Sequence, residues 1–163
     1  MEYINAPWRA QYVKNVYKTK GCIFCQAAKE GAEDRDAFIL YRGQDNFVIL
    51  NKYPYTPGHL MIAPFQHLDS PEKASRTAAH EMTDIQVLCL KILREHYRPQ
   101  GFNLGMNLGK CAGAGVAGHY HIHIIPRWPG DSNFMPLVGE TRVVIESLET
   151  TFEQLFPHFR EHM

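Results

Sequence analysis

Three histidines at alternate positions, His119, His121 and His123, lie in a segment whose intervening residues are apolar or aromatic. Side chains of a β-strand alternate between its two faces, so a strand here places all three imidazoles on one face, with neighbours roughly 6 to 7 Å apart. Three interpretations are open: a histidine-rich surface strand, one catalytic metal held by all three rings, or a nucleophilic imidazole. No acidic residue near the strand supplies the carboxylate that usually supports a catalytic metal. We therefore predict that His121 is a nucleophile, because a neutral imidazole with a reference pKa of about 6.5 is available at neutral pH.

A glycine-rich stretch precedes the histidines, since six of the twelve glycines of the chain lie between Gly101 and Gly118. Such a stretch lets the backbone approach a ligand closely, and successive N–H groups can form a concave anion site. Asn107 and Lys110 are candidates for additional donors. Phosphate is thus the predicted ligand. The alternative is a loop that is only flexible or tightly turned.

Cys22 and Cys25 have the spacing of two thiolate ligands on one tetrahedral zinc ion. Two packed thiols and a redox pair are the alternatives, although no thioredoxin-like βαβ pattern surrounds the motif. The other cysteines, Cys89 and Cys111, are distant in sequence, so a disulfide framework is not expected. A zinc site needs two further ligands.

The elements that position these residues show strand and helix patterns in turn. The predicted strands are Phe38–Arg42, Asn46–Leu50, His59–Ala63, Phe102–Asn107 and His119–Ile125. A long helix over Ser70–Arg98 and a closing helix over Ile145–Phe159 are predicted from apolar residues at spacings of three and four. Residues 1–21 are interpreted as an arm packed on the body. Together these patterns indicate one α+β domain, residues 1–163, with a mostly antiparallel five-stranded sheet.

The composition limits the classes of partner. Seventeen basic residues balance seventeen acidic ones, so no overall field draws the protein to nucleic acid or to an anionic membrane. No apolar run approaches the roughly 20 residues that span a bilayer, and the N-terminus lacks the apolar stretch of a signal peptide. We expect a cytoplasmic protein with neither a nucleic acid nor a membrane partner.

At His119–Ile125 the chain resembles the histidine-triad (HIT) family of nucleotide hydrolases and transferases, whose signature is His-x-His-x-His followed by two apolar residues. Segments similar to the family's nucleoside-binding strands are Leu50–Asn51, Pro57–Leu60 and Pro64–His67. Motifs resembling the diadenosine tetraphosphate phosphorylases of this family are Ala6–Arg9, Asn107–Gly109, Pro126–Trp128, Gly130–Asp131 and Asn133–Phe134. The resemblance implies a homodimeric enzyme that phosphorolyses dinucleoside polyphosphates, such as diadenosine tetraphosphate, to two mononucleotides.

The resemblance also implies roles for individual residues. His121 attacks the α-phosphorus and forms a nucleotidyl-histidine, the His119 carbonyl orients its ring, and His123 contacts the phosphate oxygens. Substrate contacts are implied for Asn51 at the ribose hydroxyls and for Phe47 and Leu50 at the walls of the base pocket. Zinc-bearing members imply His67 and His119 as the partners of Cys22 and Cys25 in a structural zinc site.

Two further substrate contacts are predicted from the residues themselves. Trp128 is a candidate to stack on a base, with a packed aromatic side chain as the alternative. Arg127 is a candidate cation that would hold an acceptor phosphate in line with the phosphorus bonded to His121. His59, His80 and His96 are interpreted as surface or helix-face residues.

One position departs from the family pattern, because Gly115 stands where the family usually has Gln, Ser or Thr. The backbone N–H groups of Gly113, Ala114 and Gly115, or the Lys110 side chain, are candidates to replace that contact. Hydrolysis of dinucleoside polyphosphates or nucleoside phosphoramidates is the alternative reaction, with water instead of phosphate as the acceptor. A nucleotide-binding module without turnover is the alternative class of protein.

Overall fold

A computed structural model describes residues 21–29, 33–131 and 146–162. Two short helices, α1 (Ile23–Ala27) and α2 (Asp34–Ala37), precede the sheet. The strands are β1 (Ile39–Arg42), β2 (Asn46–Leu50), β3 (Leu60–Pro64), β4 (Gly101–Gly105) and β5 (Ile122–Arg127). Two longer helices, α3 (Arg76–Tyr97) and α4 (Leu148–Arg160), and two 3-10 helices, Pro71–Lys73 and Lys110–Ala112, complete the described elements. The predicted arm over 1–21 lies outside the described residues except for Gly21, and that residues 1–163 form one domain stays a prediction.

The five strands form one sheet in the order β1-β2-β3-β5-β4, and every neighbouring pair is antiparallel. The predicted α+β class with an antiparallel sheet is therefore confirmed. Strand β5 lies between β3 and β4, so the strand that follows the glycine-rich stretch occupies an interior position. In this register His123 is opposite Met61 on one side and Gly105 on the other.

The alternating pattern of the strands divides the core between the two faces of the sheet. Helices α3 and α4 cover one face, where the first core cluster includes Val48, Leu50, Leu60, Ile62, Tyr120, Ile122 and Ile124. The second core cluster lies on the other face and contains Phe24, Ile39, Phe47, Ile49, Met61 and Ala63. Its Phe24 comes from α1. The expectation that Tyr120, Ile122 and Ile124 point away from the histidines is confirmed.

Several element boundaries differ from those predicted. Ser70 and Pro71 begin a 3-10 turn and not the long helix. The long helix starts at Arg76, and its N-cap is Ser75, whose side chain accepts a hydrogen bond from the Ala78 N–H. The closing helix likewise starts after Ser147, whose side chain accepts from the Thr150 N–H. Strand β5 begins at Ile122 instead of His119, because the backbone before it leaves the sheet and the Tyr120 N–H donates to the Leu68 carbonyl.

One carboxylate fastens the turn between β1 and β2 to helix α3. The Glu81 side chain accepts hydrogen bonds from the Gln44 and Asp45 N–H groups at 2.5 and 2.9 Å. It also accepts from Nδ2 of Asn46 at 2.7 Å, and Asn46 donates to the Ala78 carbonyl as well. Because Asn46 is fully buried, this set of bonds fixes the start of β2 against the helix.

Candidate active site

His121 directly precedes β5, and only 6% of its surface is exposed. Its Nδ1 donates a hydrogen bond to the His119 carbonyl at 2.9 Å, which is the contact implied by the resemblance. A proton held on Nδ1 leaves the lone pair of a neutral ring on Nε2. Burial lowers the pKa of His121, and the bond to the His119 carbonyl opposes this shift to a smaller extent. The ring is therefore held in the neutral form that a nucleophile requires.

His123 is held from behind by a fourth histidine. The Tyr55 N–H donates to Nδ1 of His59 at 3.1 Å, and Nε2 of His59 lies 3.0 Å from Nδ1 of His123. With Nδ1 of His59 as an acceptor, its Nε2–H donates to His123, so the proton of a neutral His123 is on Nε2. The His121 and His123 ring centroids are 4.8 Å apart. An N–H donor therefore lies beside the nucleophile.

The interpretation of His59 as a surface or helix-face residue is wrong. Its side chain is 1% exposed, because the turn at Pro57 and Gly58 brings it beneath the Tyr55 ring, with centroids 5.0 Å apart. Asn51 lies next to it, with Nδ2 3.4 Å from the His59 ring nitrogens. The sequence did not predict this position of His59, because β3 and β5 are neighbours in the sheet but far apart in sequence.

Cys22, Cys25, His67 and His119 come together, and their four ligand atoms all lie within 4.8 Å of one another. Nδ1 of His119 is 3.3 and 3.6 Å from the sulfurs of Cys22 and Cys25, and Nδ1 of His67 is 3.2 Å from the Cys25 sulfur. Sulfur and nitrogen ligands on one tetrahedral zinc ion are separated by about 3.5 Å. The donor set therefore fits a closed structural zinc site of the Cys₂His₂ type.

His119 connects this cluster to the nucleophile. Its Nδ1 faces the two sulfurs, its Nε2–H donates to the Pro64 carbonyl at 2.8 Å, and its own carbonyl accepts from His121. Hydrogen bonding of the second ring nitrogen is the usual way in which a metal-binding histidine is oriented. Burial also lowers the pKa of His119, which favours the neutral form that binds metal.

The glycine-rich loop runs from the end of β4 to His119 and uses some of its own N–H groups. Gly113 donates to the Lys110 carbonyl at 3.0 Å and Ala114 to the Gly109 carbonyl at 3.3 Å. These two amides are therefore engaged within the loop, contrary to their predicted use as phosphate donors. Lys110 and Gly115 are exposed, and Asn107 is half-buried. Their contact with phosphate stays a prediction.

The predicted base-pocket residues Phe47 and Leu50 lie on opposite faces of the sheet. Phe47 is in the second core cluster and Leu50 in the first, and they are 0% and 1% exposed. Residues three apart on a strand project from opposite faces, so the two side chains cannot line one pocket. Neither offers accessible surface to a base in this structure.

Arg127 lies on the histidine face of β5 but too far along it for its predicted role. It is six positions further along the chain than His121, which corresponds to about 20 Å of strand. Its guanidinium pairs with both carboxylate oxygens of Asp131 at 2.5 and 2.7 Å and with the Asn103 side-chain oxygen. Arg127 therefore cannot hold an acceptor phosphate in line with a phosphorus on His121.

Trp128 directly follows β5 and is half-buried. Its ring meets Tyr97 edge-on, with centroids 6.4 Å apart. This contact fits the alternative interpretation of Trp128 as an aromatic side chain packed within the protein. Stacking on a base stays a prediction.

The strand next to His123 leaves open space on the histidine face. Gly105 is directly opposite His123 and Gly101 opposite Arg127. No described atom lies within 4 Å of the position that a Cβ would take at either glycine. A ligand can therefore lie across the edge of the sheet beside His123.

With this arrangement of histidines in place, comparison with known proteins decides the family. The profile of the HIT domain matches residues 32–130, which is more than half of the chain. The chain belongs to the HIT domain family. Among HIT relatives, the AP-4-A phosphorylase of Mycobacterium tuberculosis is 36% identical over 118 residues, which cover 72% of this chain and 60% of that protein. The chain thus spans about three fifths of the length of that relative. The bis(5'-adenosyl)-triphosphatase of Dictyostelium discoideum is 30% identical over 96 residues, covering 57% of this chain and 62% of that protein.

Solved HIT structures share the fold. A zinc-bound histidine triad family protein from Mycobacterium smegmatis superposes with a TM-score of 0.68 at 22% identity, covering 87% of this chain and 95% of that one. A hypothetical histidine triad nucleotide-binding protein from Sulfolobus tokodaii has a TM-score of 0.64 at 26% identity, with coverages of 86% and 90% of the two chains.

Among the helices of the described ranges, none has both the length and the apolar composition of a membrane-spanning helix.

Proposed function

We propose that this HIT protein is a nucleotidyltransferase that phosphorolyses dinucleoside polyphosphates such as diadenosine tetraphosphate. The observation that carries the proposal is the bond from Nδ1 of His121 to the His119 carbonyl at 2.9 Å. It leaves Nε2 of a buried, neutral ring as a nucleophile next to the Nε2–H donor of His123. The identity of 36% to an AP-4-A phosphorylase supports the same reaction.

The reaction has two displacements at one phosphorus atom. In the first, the Nε2 lone pair of His121 attacks the α-phosphorus, the bond to the bridging oxygen breaks, and ATP leaves with the electron pair when diadenosine tetraphosphate is the substrate. In the second, an oxygen of inorganic phosphate attacks, the P–N bond breaks, its electrons return to Nε2, and ADP leaves. The His119 carbonyl stabilises the positive charge that His121 gains in the intermediate. The Nε2–H of His123 donates a hydrogen bond to a phosphate oxygen, and the hydrogen bond from His59 keeps His123 in that tautomer.

Hydrolysis is the second candidate reaction, because the Dictyostelium relative named as a triphosphatase shares 30% identity. Phosphorolysis requires a site for a second anion, whereas water needs none. Since Arg127 is too distant, Lys110, Asn107 and the Gly115 N–H are the proposed phosphate contacts. Arg127 and Trp128 are better placed for the distal part of a long dinucleotide.

We further propose that Cys22, Cys25, His67 and His119 bind one structural zinc ion per chain. The ligand atoms within 4.8 Å and the zinc-bound HIT protein of Mycobacterium smegmatis support this assignment. When bound, the zinc would tie α1 to the segment before β5 and supply no catalytic chemistry, because a site with four protein ligands leaves no open position.

A homodimer is the proposed assembly. On its outer edge β4 has no partner strand among the described residues, and its Leu104 is 41% exposed. An unpaired edge strand with an exposed apolar residue favours pairing with another chain. Light scattering coupled to gel filtration distinguishes a dimer from a monomer. The cytoplasmic location stays a prediction.

The test of function is incubation of the purified protein with diadenosine tetraphosphate and labelled inorganic phosphate. Phosphorolysis yields ATP and labelled ADP, at a rate that saturates with phosphate. AMP and ATP without label would replace the phosphorylase by the hydrolase, and binding without products would indicate a nucleotide-binding module. His121→Ala should lower kcat by about 10⁴-fold or more while nucleotide binding is retained. His80→Ala, at an exposed histidine of α3, is the matched control, and substantial turnover by His121→Ala would refute the nucleophile.

A further inference from the structure

Helix α1, which begins after Cys22 and contains Cys25 of the proposed zinc site, places an aromatic ring against the proposed nucleophile. Phe24 is 1% exposed, and its ring centroid lies 4.7 Å from that of His121 and 5.1 Å from that of His119. We propose that Phe24 is a positioning residue for His121, and that the cysteines on either side of it set its place. This inference rests on the proposed role of His121 as the nucleophile.

The hydrogen bond to the His119 carbonyl does not by itself fix the His121 ring. One bond at Nδ1 leaves the ring free to tilt about that contact, and a tilt moves Nε2, which is on the far side of the ring. The Phe24 ring packs beside His121 with an angle of 40° between the two planes. Close packing against a buried aromatic ring removes this freedom. The carbonyl thus sets the tautomer, whereas Phe24 sets the direction of the Nε2 lone pair.

Phe24 itself depends on its neighbours for its position. Helix α1 has five residues and no side-chain cap, and helices of this length are not stable alone. Cys22 lies two residues before Phe24 and Cys25 one residue after it, and both sulfurs point to His119. A metal ion on these sulfurs would tie the backbone on both sides of Phe24 to the segment that carries His121. We therefore expect metal occupancy to affect the nucleophile through the packing of Phe24.

The test compares Phe24→Ala and Phe24→Leu with Ile23→Ala. Ile23 is the neighbouring apolar residue of α1 and packs against the same second core cluster, so its truncation perturbs the same helix. Zinc content, thermal stability, kcat and KM are measured for each protein. Reaction of His121 with diethylpyrocarbonate, followed by mass spectrometry without substrate, reports the exposure of its ring independently of turnover.

Phe24→Ala should keep its zinc and lower kcat by about 10- to 100-fold. KM should change by less than about threefold, because the ring that tilts is that of His121, which attacks the substrate but does not hold it. Phe24→Leu should show a smaller loss of kcat, and Ile23→Ala should keep kcat within about threefold. Modification of His121 should be faster in both Phe24 variants and in chelated wild-type protein. If Phe24→Ala loses zinc, Phe24→Leu decides the outcome.

Two results would overturn the inference. The first is a His121 modification rate that is unchanged in the Phe24 variants, and the second is a loss of kcat that Ile23→Ala shares in full. If chelated protein stays folded and its His121 is modified at the same rate as before, the cysteines do not set the position of Phe24. If the wild-type protein does not act on dinucleoside polyphosphates, the proposed function fails, but the modification rates still decide whether Phe24 positions the ring.

Discussion

Replacement of Glu81 by alanine should destabilise the protein, because this one carboxylate accepts three hydrogen bonds at the turn between β1 and β2. Water can reach the Gln44 and Asp45 N–H groups after the substitution, so each lost bond costs about 0.5 to 1 kcal/mol. Asn46 is 0% exposed, and its second Nδ2 hydrogen would lose a buried partner at a cost of about 1 to 2 kcal/mol. The expected loss in free energy of unfolding is thus about 2 to 4 kcal/mol.

Thermal unfolding followed by circular dichroism measures this effect. In a protein of this size 1 kcal/mol corresponds to about 2 to 4 °C in Tm, so Glu81→Ala should lower Tm by about 4 to 16 °C. Glu81→Gln keeps one acceptor oxygen and should lose about half as much. Asp84→Ala removes an exposed carboxylate from the same helix and should change stability by less than about 0.5 kcal/mol. Equal Tm values for Glu81→Ala and Asp84→Ala would refute the assigned bonds.

Three further substitutions or treatments test other parts of the structure. Gly58→Ala should lower the free energy of unfolding by about 2 to 4 kcal/mol, because the residue has a φ of +71° and a Cβ there would lie 2.9 Å from the Tyr97 ring. An unchanged Tm would contradict this backbone conformation. Gly105→Val should raise KM at least about fivefold with little change in Tm, since a side chain there enters the open space beside His123, and an unaltered KM would exclude this face as the substrate surface. Metal analysis should find one zinc per chain that chelation removes with a fall in Tm, and Cys25→Ser should lose it; a metal-free native protein would refute the site.

The sequence predicted those parts of the site that depend on local alternation. His121 and His123 share a face, and Tyr120 and Ile122 are in the opposite core cluster, because a period of two survives even where the backbone leaves the sheet at His119. The helix start was misplaced because Ser70 and Ser75 are both suitable caps, and only the structure shows that the Pro71 turn ends before the helix begins.

The contacts that the sequence did not predict join elements through the order of the strands. His59 reaches His123 because β3 and β5 are neighbours, and no periodicity within a single segment contains that information. Phe24 reaches His121 by a different route, from a helix of five residues that is too short to show a periodic pattern. The assignment of an acceptor phosphate to Arg127 failed for a simpler reason: the rise of a β-strand separates it from His121 by about 20 Å.

The interior position of β5 has a consequence for how the protein folds and opens. Its partners are β3, about 60 residues earlier in the chain, and β4, which is separated from it by the glycine-rich loop. During synthesis the sheet cannot close until β5 has left the ribosome, so until then β3 has one unpaired edge and β4 has no partner strand among the described residues. Once β5 is inserted, exposing its amides requires the loss of two ladders at once. Hydrogen exchange should therefore be slowest in the strand that carries His123, and faster at the β4 edge and in the glycine-rich loop.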